Sequence, residues 1–138
     1  MAGVRGFTEV TSYPVDDEFY ADDSGYVLEA KQDGTGEVEH VEGDSESVIG
    51  VNYVSTEDQW EDVVNPDSGE VDVVPNSGGF PVKADEGEYR PQESVYLSNT
   101  NDGHVNTTDT ENYRLGTVVR PENVDEDGEK VIVKFTTV

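Results

Sequence analysis

The only side chains in this 138-residue chain with an ordinary pKa near neutrality are His40 and His104. His40 lies in Glu37-Val38-Glu39-His40-Val41-Glu42, and His104 directly follows Asp102-Gly103. An imidazole among carboxylates could form the His–carboxylate pair used in general acid–base chemistry. Solvated strand or turn positions account for both histidines without any chemistry, and that is the expectation here. No Gly-x-Ser-x-Gly elbow, no His-Glu-x-x-His and no glycine-rich phosphate loop with its lysine occurs in the sequence. Acids are so frequent, 32 Asp and Glu, that a pair of them says nothing about glycoside hydrolysis. The residues therefore predict no catalytic centre and a protein that is not an enzyme.

Cation binding is the next chemistry to weigh. Asn123-Val124-Asp125-Glu126-Asp127-Gly128 fits the first half of a calcium loop. Lys134 stands where a bidentate glutamate should close it, and a strand follows in place of a helix. The segment reads as a hairpin turn, and no metal centre or bound cofactor is expected. What remains is weak, diffuse cation binding by clustered carboxylates, with high salt as a general requirement. There is no cysteine, which excludes disulfides and thiolate metal sites. Asn106-Thr107-Thr108 is a glycosylation sequon at a position expected to be exposed after the Asp102-Gly103 turn.

The elements that carry these residues read as short strands. Val, Tyr, Thr and Phe dominate the apolar clusters, which suits a pleated, half-buried surface. The predicted strands are Tyr26 to Ala30, Glu37 to Val41, Ser47 to Val54, Glu70 to Val74, Phe80 to Ala84, Glu93 to Ser98, Tyr113 to Val119 and Lys130 to Thr137. Gly- and Asp-rich turns such as Asp33-Gly34-Thr35-Gly36, Asn101-Asp102-Gly103 and Asp127-Gly128 separate them. Strands at intervals of roughly 10 residues indicate an all-β fold, a small barrel or sandwich. One helix of one or two turns is predicted near 56–64, where Trp60, Val63 and Val64 have helical spacing; a loop insertion pinned by Trp60 is the alternative. The chain divides into residues 1–23, an N-terminal arm or edge strand, and a β-barrel-like domain over 24–138.

An internal echo runs through the pattern. Tyr26-Val27-Leu28-Glu29-Ala30 precedes Ser47-Val48-Ile49-Gly50-Val51 much as Glu93-Ser94-Val95-Tyr96-Leu97-Ser98 precedes Tyr113-Arg114-Leu115-Gly116-Thr117-Val118. The glycine inside each second strand predicts a bulge or a close backbone approach.

The charge bounds function more tightly than any motif. The formal net charge is -24, with only 8 Lys and Arg, so a compact body repels itself strongly in dilute buffer. At about 1 M salt the Debye length falls to roughly 3 Å and the repulsion is largely screened. The chain is suited to a salt-rich medium, a halophile or a virus of one. Its scattered bases offer no stripe for phosphates, so direct nucleic-acid binding and docking on anionic lipid are not expected. No apolar run approaches a membrane span, and Met1-Ala2-Gly3-Val4-Arg5 lacks the apolar segment of a secretion signal; synthesis in a host cytoplasm is the expectation.

The order of these strands and turns resembles a known family. Val48-Ile49-Gly50-Val51, Val71-Asp72-Val73-Val74, Asp85-Glu86-Gly87, Glu93-Ser94-Val95-Tyr96-Leu97, Asp102-Gly103, Leu115-Gly116-Thr117-Val118, and Asp127-Gly128 leading into Val131-Ile132-Val133-Lys134-Phe135 resemble the small capsid-decoration, or cement, proteins of tailed bacterial and archaeal viruses. The similarity spans roughly residues 24–137. Asp58 to Pro66 departs from the pattern as an insertion, and residues 1–23 have no counterpart in it. The resemblance implies a barrel-like domain, a homotrimer, and a place on the outer face of an icosahedral shell, bound to the major capsid protein. The expected docking element is the arm, through Arg5, Phe7, Val10 and Tyr13. Two other classes fit the composition: an acidic DNA mimic that inhibits a nucleic-acid-binding enzyme, and a non-catalytic carbohydrate-binding module stacking sugars on Trp60 and tyrosines.

Overall fold

In the computed structural model, residues 11–21, 23–53, 70–75, 79–109 and 111–135 are described. Among them the chain is all-β, with twelve strands: β1 Thr11–Pro14, β2 Val27–Ala30, β3 Val38–His40, β4 Val48–Asn52, β5 Glu70–Pro75, β6 Gly79–Lys83, β7 Gly87–Tyr89, β8 Ser94–Leu97, β9 Val105–Asn106, β10 Arg114–Val118, β11 Glu122–Val124 and β12 Lys130–Phe135. All eight strands predicted from the sequence are present. The segment near 56–64 with Trp60, like Arg5, Phe7 and Val10, lies outside the described residues.

The strands form two five-stranded antiparallel sheets, ordered β1-β5-β4-β2-β3 and β6-β12-β10-β8-β9, and a two-stranded sheet of β7 and β11. Neither large sheet closes into a barrel among the described residues. Setting β7 and β11 aside, the second order repeats the first, strand for strand. The registers repeat as well. Leu28 faces Gly50 and Val95 faces Gly116, and in both sheets the next pair skips the residue before the glycine, Ile49 or Leu115. Ala30 faces Val38 and Leu97 faces Val105, across turns of equal length. These turns close on matching backbone bonds, Lys31 N to Glu37 O at 2.9 Å and Ser98 N to His104 O at 3.0 Å. The two turns also share a left-handed glycine at the matching position, Gly36 at φ +80° and Gly103 at φ +78°. The echo in the sequence is thus one five-strand unit used twice.

Alternation within the strands builds two cores. Val27 and Val51, directly opposite each other, point from the first sheet into the larger core with Val82, Val95, Leu97, Leu115 and Val133 of the second. Their neighbours Leu28, Val38, Val71 and Val73 point the other way, into a smaller core covered by Val15, Phe19 and Ala21. The first sheet is therefore buried on both faces. Of the arm read from the sequence, Thr11–Pro14 is an edge strand on β5, and Tyr13 packs partly buried against the smaller core.

The two bulge glycines answer different needs: Gly50 has a positive φ of 152°, and Gly116 has no room for a side chain. A Cβ on Gly116 would overlap the Lys134 carbonyl oxygen on the neighbouring strand. Gly34 has open space around it and only the left-handed backbone, φ +83°, to satisfy. Gly116→Ala is therefore expected to cost roughly 3 kcal/mol, and Gly34→Ala about 1 kcal/mol, as read by denaturant unfolding in molar salt.

A second strain is electrostatic. Glu29 and Glu39 stand directly opposite on β2 and β3. Burial, then the charges of Glu29 and Glu42, push the Glu39 carboxyl above its ordinary value. A carboxyl held up in this way is a group whose ionised form the fold disfavours, so its cost is present at neutral pH and disappears as pH falls through the raised value. Glu39→Gln is expected to stabilise by about 0.2–1 kcal/mol at neutral pH. The gain should shrink between low and molar salt, which thermal melts at the two salt concentrations would read.

Candidate functional site: a buried carboxylate hub

The one dense polar constellation among the described buried residues centres on Asp85. Backbone geometry sets its place: Asp85 N donates to Val105 O at 2.9 Å, and Ala84 forms a bridge with Val105. This holds the segment after β6 against β9. The loop from β8 to β9 and the turn from β11 to β12 close over it. Four side chains then converge on the carboxylate. Ser98 Oγ donates at 2.5 Å, Asn101 Nδ2 at 2.8 Å and Asn106 Nδ2 at 2.9 Å, and His104 Nδ1 lies 3.2 Å away. An ionised carboxylate only accepts, so His104 must carry its proton on Nδ1.

Burial pushes the Asp85 carboxyl up, but the bonds from His104, Ser98, Asn101 and Asn106 together outweigh it and hold the group down at about 2. The hub extends outward. Asp127 accepts from Glu86 N at 2.7 Å and from Asn101 Nδ2 at 3.1 Å. The Tyr89 hydroxyl donates to Asp85 O at 2.6 Å, and burial, then the charges of Asp85 and Asp127, push that phenol well up.

Ser98, His104 and Asp85 are the residue types of a hydrolase triad, but their wiring is different. The carboxylate sits between the other two, and the Ser98 proton is directed at Asp85. Ser98 Oγ also accepts from Thr100 N at 2.9 Å and Asn101 N at 3.1 Å. Its lone pairs are occupied and it is 2% exposed, so it offers no nucleophile to a substrate. The arrangement can order three loops, and that is the chemistry it supports.

The structure corrects the reading of both histidines as solvated. His104 is buried in the hub. His40 is partly buried, stacked on Tyr26 with ring centroids 4.4 Å apart and met edge-on by Phe19 at 5.3 Å. Asn106 of the sequon is half-buried and its Nδ2, the atom a glycan would substitute, is engaged by Asp85. The half calcium loop forms a turn whose Asp127 faces Glu86 and Asn101, while β11 pairs with β7 and not with β12. No group of three or more potential metal ligands gathers among the described residues. Asn101-Asp102-Gly103 and Asp127-Gly128 were visible as turn signals, and Asp85-Glu86-Gly87 as part of the resemblance. Ser98 closes a predicted strand and carries no signal of its own in the sequence.

The first unit holds the matching corner differently. Lys31 Nζ, in the position of Ser98, reaches Asp16 Oδ2 at 2.6 Å and Glu37 Oε1 at 3.1 Å. The bond from Lys31 comes first in holding the Asp16 carboxyl below its ordinary value.

The pH dependence of the Asp85 hub follows from its sign. The folded pKa of about 2 lies below the ordinary 3.8, so the unfolded chain binds the proton more readily. The stabilisation is fully present above about pH 4 and is lost as pH falls toward 2. Asp85→Asn is expected to cost on the order of 2–4 kcal/mol at pH 7. The gap between wild type and variant should narrow through that acid window, as read by denaturant unfolding at stepped pH. Turning to known proteins, no protein-family model and no curated protein matches this chain, so the site's meaning rests on its geometry.

Proposed function

We propose that this protein is a structural component of a virion. It decorates the outer surface of an icosahedral shell in a salt-rich environment and binds the major capsid protein without catalysing a reaction. The observation that carries this reading is where the motif residues go. Of the segments on which the resemblance to cement proteins rests, Asp85-Glu86-Gly87 supplies the buried centre, Asp127-Gly128 is tied to its exposed edge through Glu86 N and Asn101, and Asp102-Gly103 is the turn between two of its partners, Asn101 and His104. Motif residues that lock loops into a rigid body suit a part whose task is to present a surface. The charge of -24 supports the setting. A homotrimer belongs to the same reading.

Stoichiometric copurification with intact virions at high salt is the direct test, and a protein absent from purified particles would refute the reading. Structure should depend on salt in the same setting: cooperative β-type circular dichroism in molar salt and its loss at low ionic strength.

The arm gives a sharper experiment. Because Thr11–Pro14 is a sheet strand, the deletion that leaves the fold intact ends at Val10. Removing residues 1–10 is expected to keep the circular dichroism and lower shell binding. Phe7→Ala should weaken binding more than Arg5→Ala, by about 1–3 kcal/mol, since molar salt screens a charge and leaves apolar contact intact. Occupancy on shells, read by reconstruction or by a binding isotherm, decides it.

A further inference from the structure

We propose that the outer face of the second sheet is a docking surface for a second copy of this chain, which meets it with its acidic surface in a head-to-tail contact. The inference rests on the self-association in the proposed function and names its face; it does not need the shell.

Register defines the face. Ser94, Thr117 and Lys134 are neighbours across β8, β10 and β12. Ile132 stands beside Pro81 on β6, and Val119 N bonds Ile132 O at 2.9 Å on the other side. Arg114 faces Tyr96, and its Nε donates to Ser94 Oγ at 2.9 Å. None of the strand residues named here is acidic, in a chain with 32 acids against 8 bases. Lys130, on the same face, is already paired with Asp23 at 2.8 Å. A face left to solvent in a chain of this charge would carry acids. This one carries Arg114 and Lys134 around apolar side chains, and Val119 is 49% exposed.

The repeat adds a second argument. In the first unit the positions of Ser94, Arg114, Thr117 and Val119 hold Val27, Val48, Val51 and Tyr53. All four pack into the core shared with the second unit. The same face of the same unit is thus already a docking face once within the chain, and in the second unit its Arg114, Val119 and Lys134 are exposed.

Charge selects the occupant. Basic faces repel each other, so the contact is not between like faces; it joins this face to a different one, the geometry that closes into rings. The acids are on every other copy. Around Glu39 the carboxylates of Glu29 and Glu42 already crowd one another, and a cation from a neighbour relieves them. In molar salt only desolvated charge pairs in direct contact keep their value, so Tyr96, Ile132 and Val119 must supply the apolar part.

Sedimentation and light scattering in molar salt test the face. Wild type is expected to form a discrete oligomer. Lys134→Glu and Val119→Glu should each raise the concentration for half-assembly by about tenfold or more, with unchanged circular dichroism. Arg90→Glu reverses an exposed base off the face and should leave assembly alone. A wild type that stays monomeric overturns the proposal. So does an oligomer that both face variants retain, or one that Arg90→Glu dissolves equally. A monomer that docks on purified shells and loses that binding in Lys134→Glu would assign the face to the shell protein and would also overturn it.

Discussion

The buried carboxylate of Asp85 is the constraint from which the rest of the second unit follows. A lone ion this deep is costly, and the fold answers with three side-chain donors from the loop between β8 and β9 and a fourth, Asn106, from β9 itself. Those donors fix the loop; the loop fixes Gly103, whose amide and carbonyl bond Val41 O and Val27 N at 2.8 Å in the first sheet. The hub therefore reaches across the shared core. Asp127 ties in the last turn. Buried charge-assisted bonds keep their strength in molar salt, whereas exposed pairs do not. The Asp16–Lys31 corner of the first unit is of the weaker kind, with the Asp16 side chain 42% exposed.

Much of this architecture was legible because period-two burial leaves a trace. β12, Val131 and Val133 in and Ile132 and Lys134 out, alternates over its length, and strands of that kind were found from the sequence. The four strands outside the predicted eight have physical reasons, and for β1 an edge strand within residues 1–23 was one of the two readings. β1 is an edge strand with no fully buried residue. β7 and β11 bury one side chain each, Tyr89 and Val124. β9 is two residues long. The pairing of β11 with β7 defeats the local rule that a tight turn joins hydrogen-bonded neighbours.

The hub was half legible. Asp, Asn, Gly and Ser in turns look alike whether they face water or one another, and local turn chemistry explains each by itself. What separates a solvated turn from a buried network is burial, and burial of Ser98, His104 and Asp85 depends on contacts between segments far apart in sequence. The glycines were more informative. Gly50 and Gly116 sit inside strand patterns where glycine weakens a strand, so each signalled a backbone reason before the bulges were seen.

The repeat explains why one chain holds two different solutions to the same geometry. Two identical units stacked in sequence would leave the first unit's apolar outer face buried and the second's exposed. The second must change, and it has: Val27 and Val51 correspond to Ser94 and Thr117, and Val48 to Arg114. Solubility alone would be met by Asp or Glu at these positions, the residues that this chain uses almost everywhere. That the replacements are neutral or basic, beside an exposed Val119, separates the face from the solvated remainder of the surface. Attachment between two strongly acidic proteins is electrostatically unfavourable in general. Strands that present bases and apolar side chains in place of acids remove that obstacle locally and leave the rest of the surface to solubility.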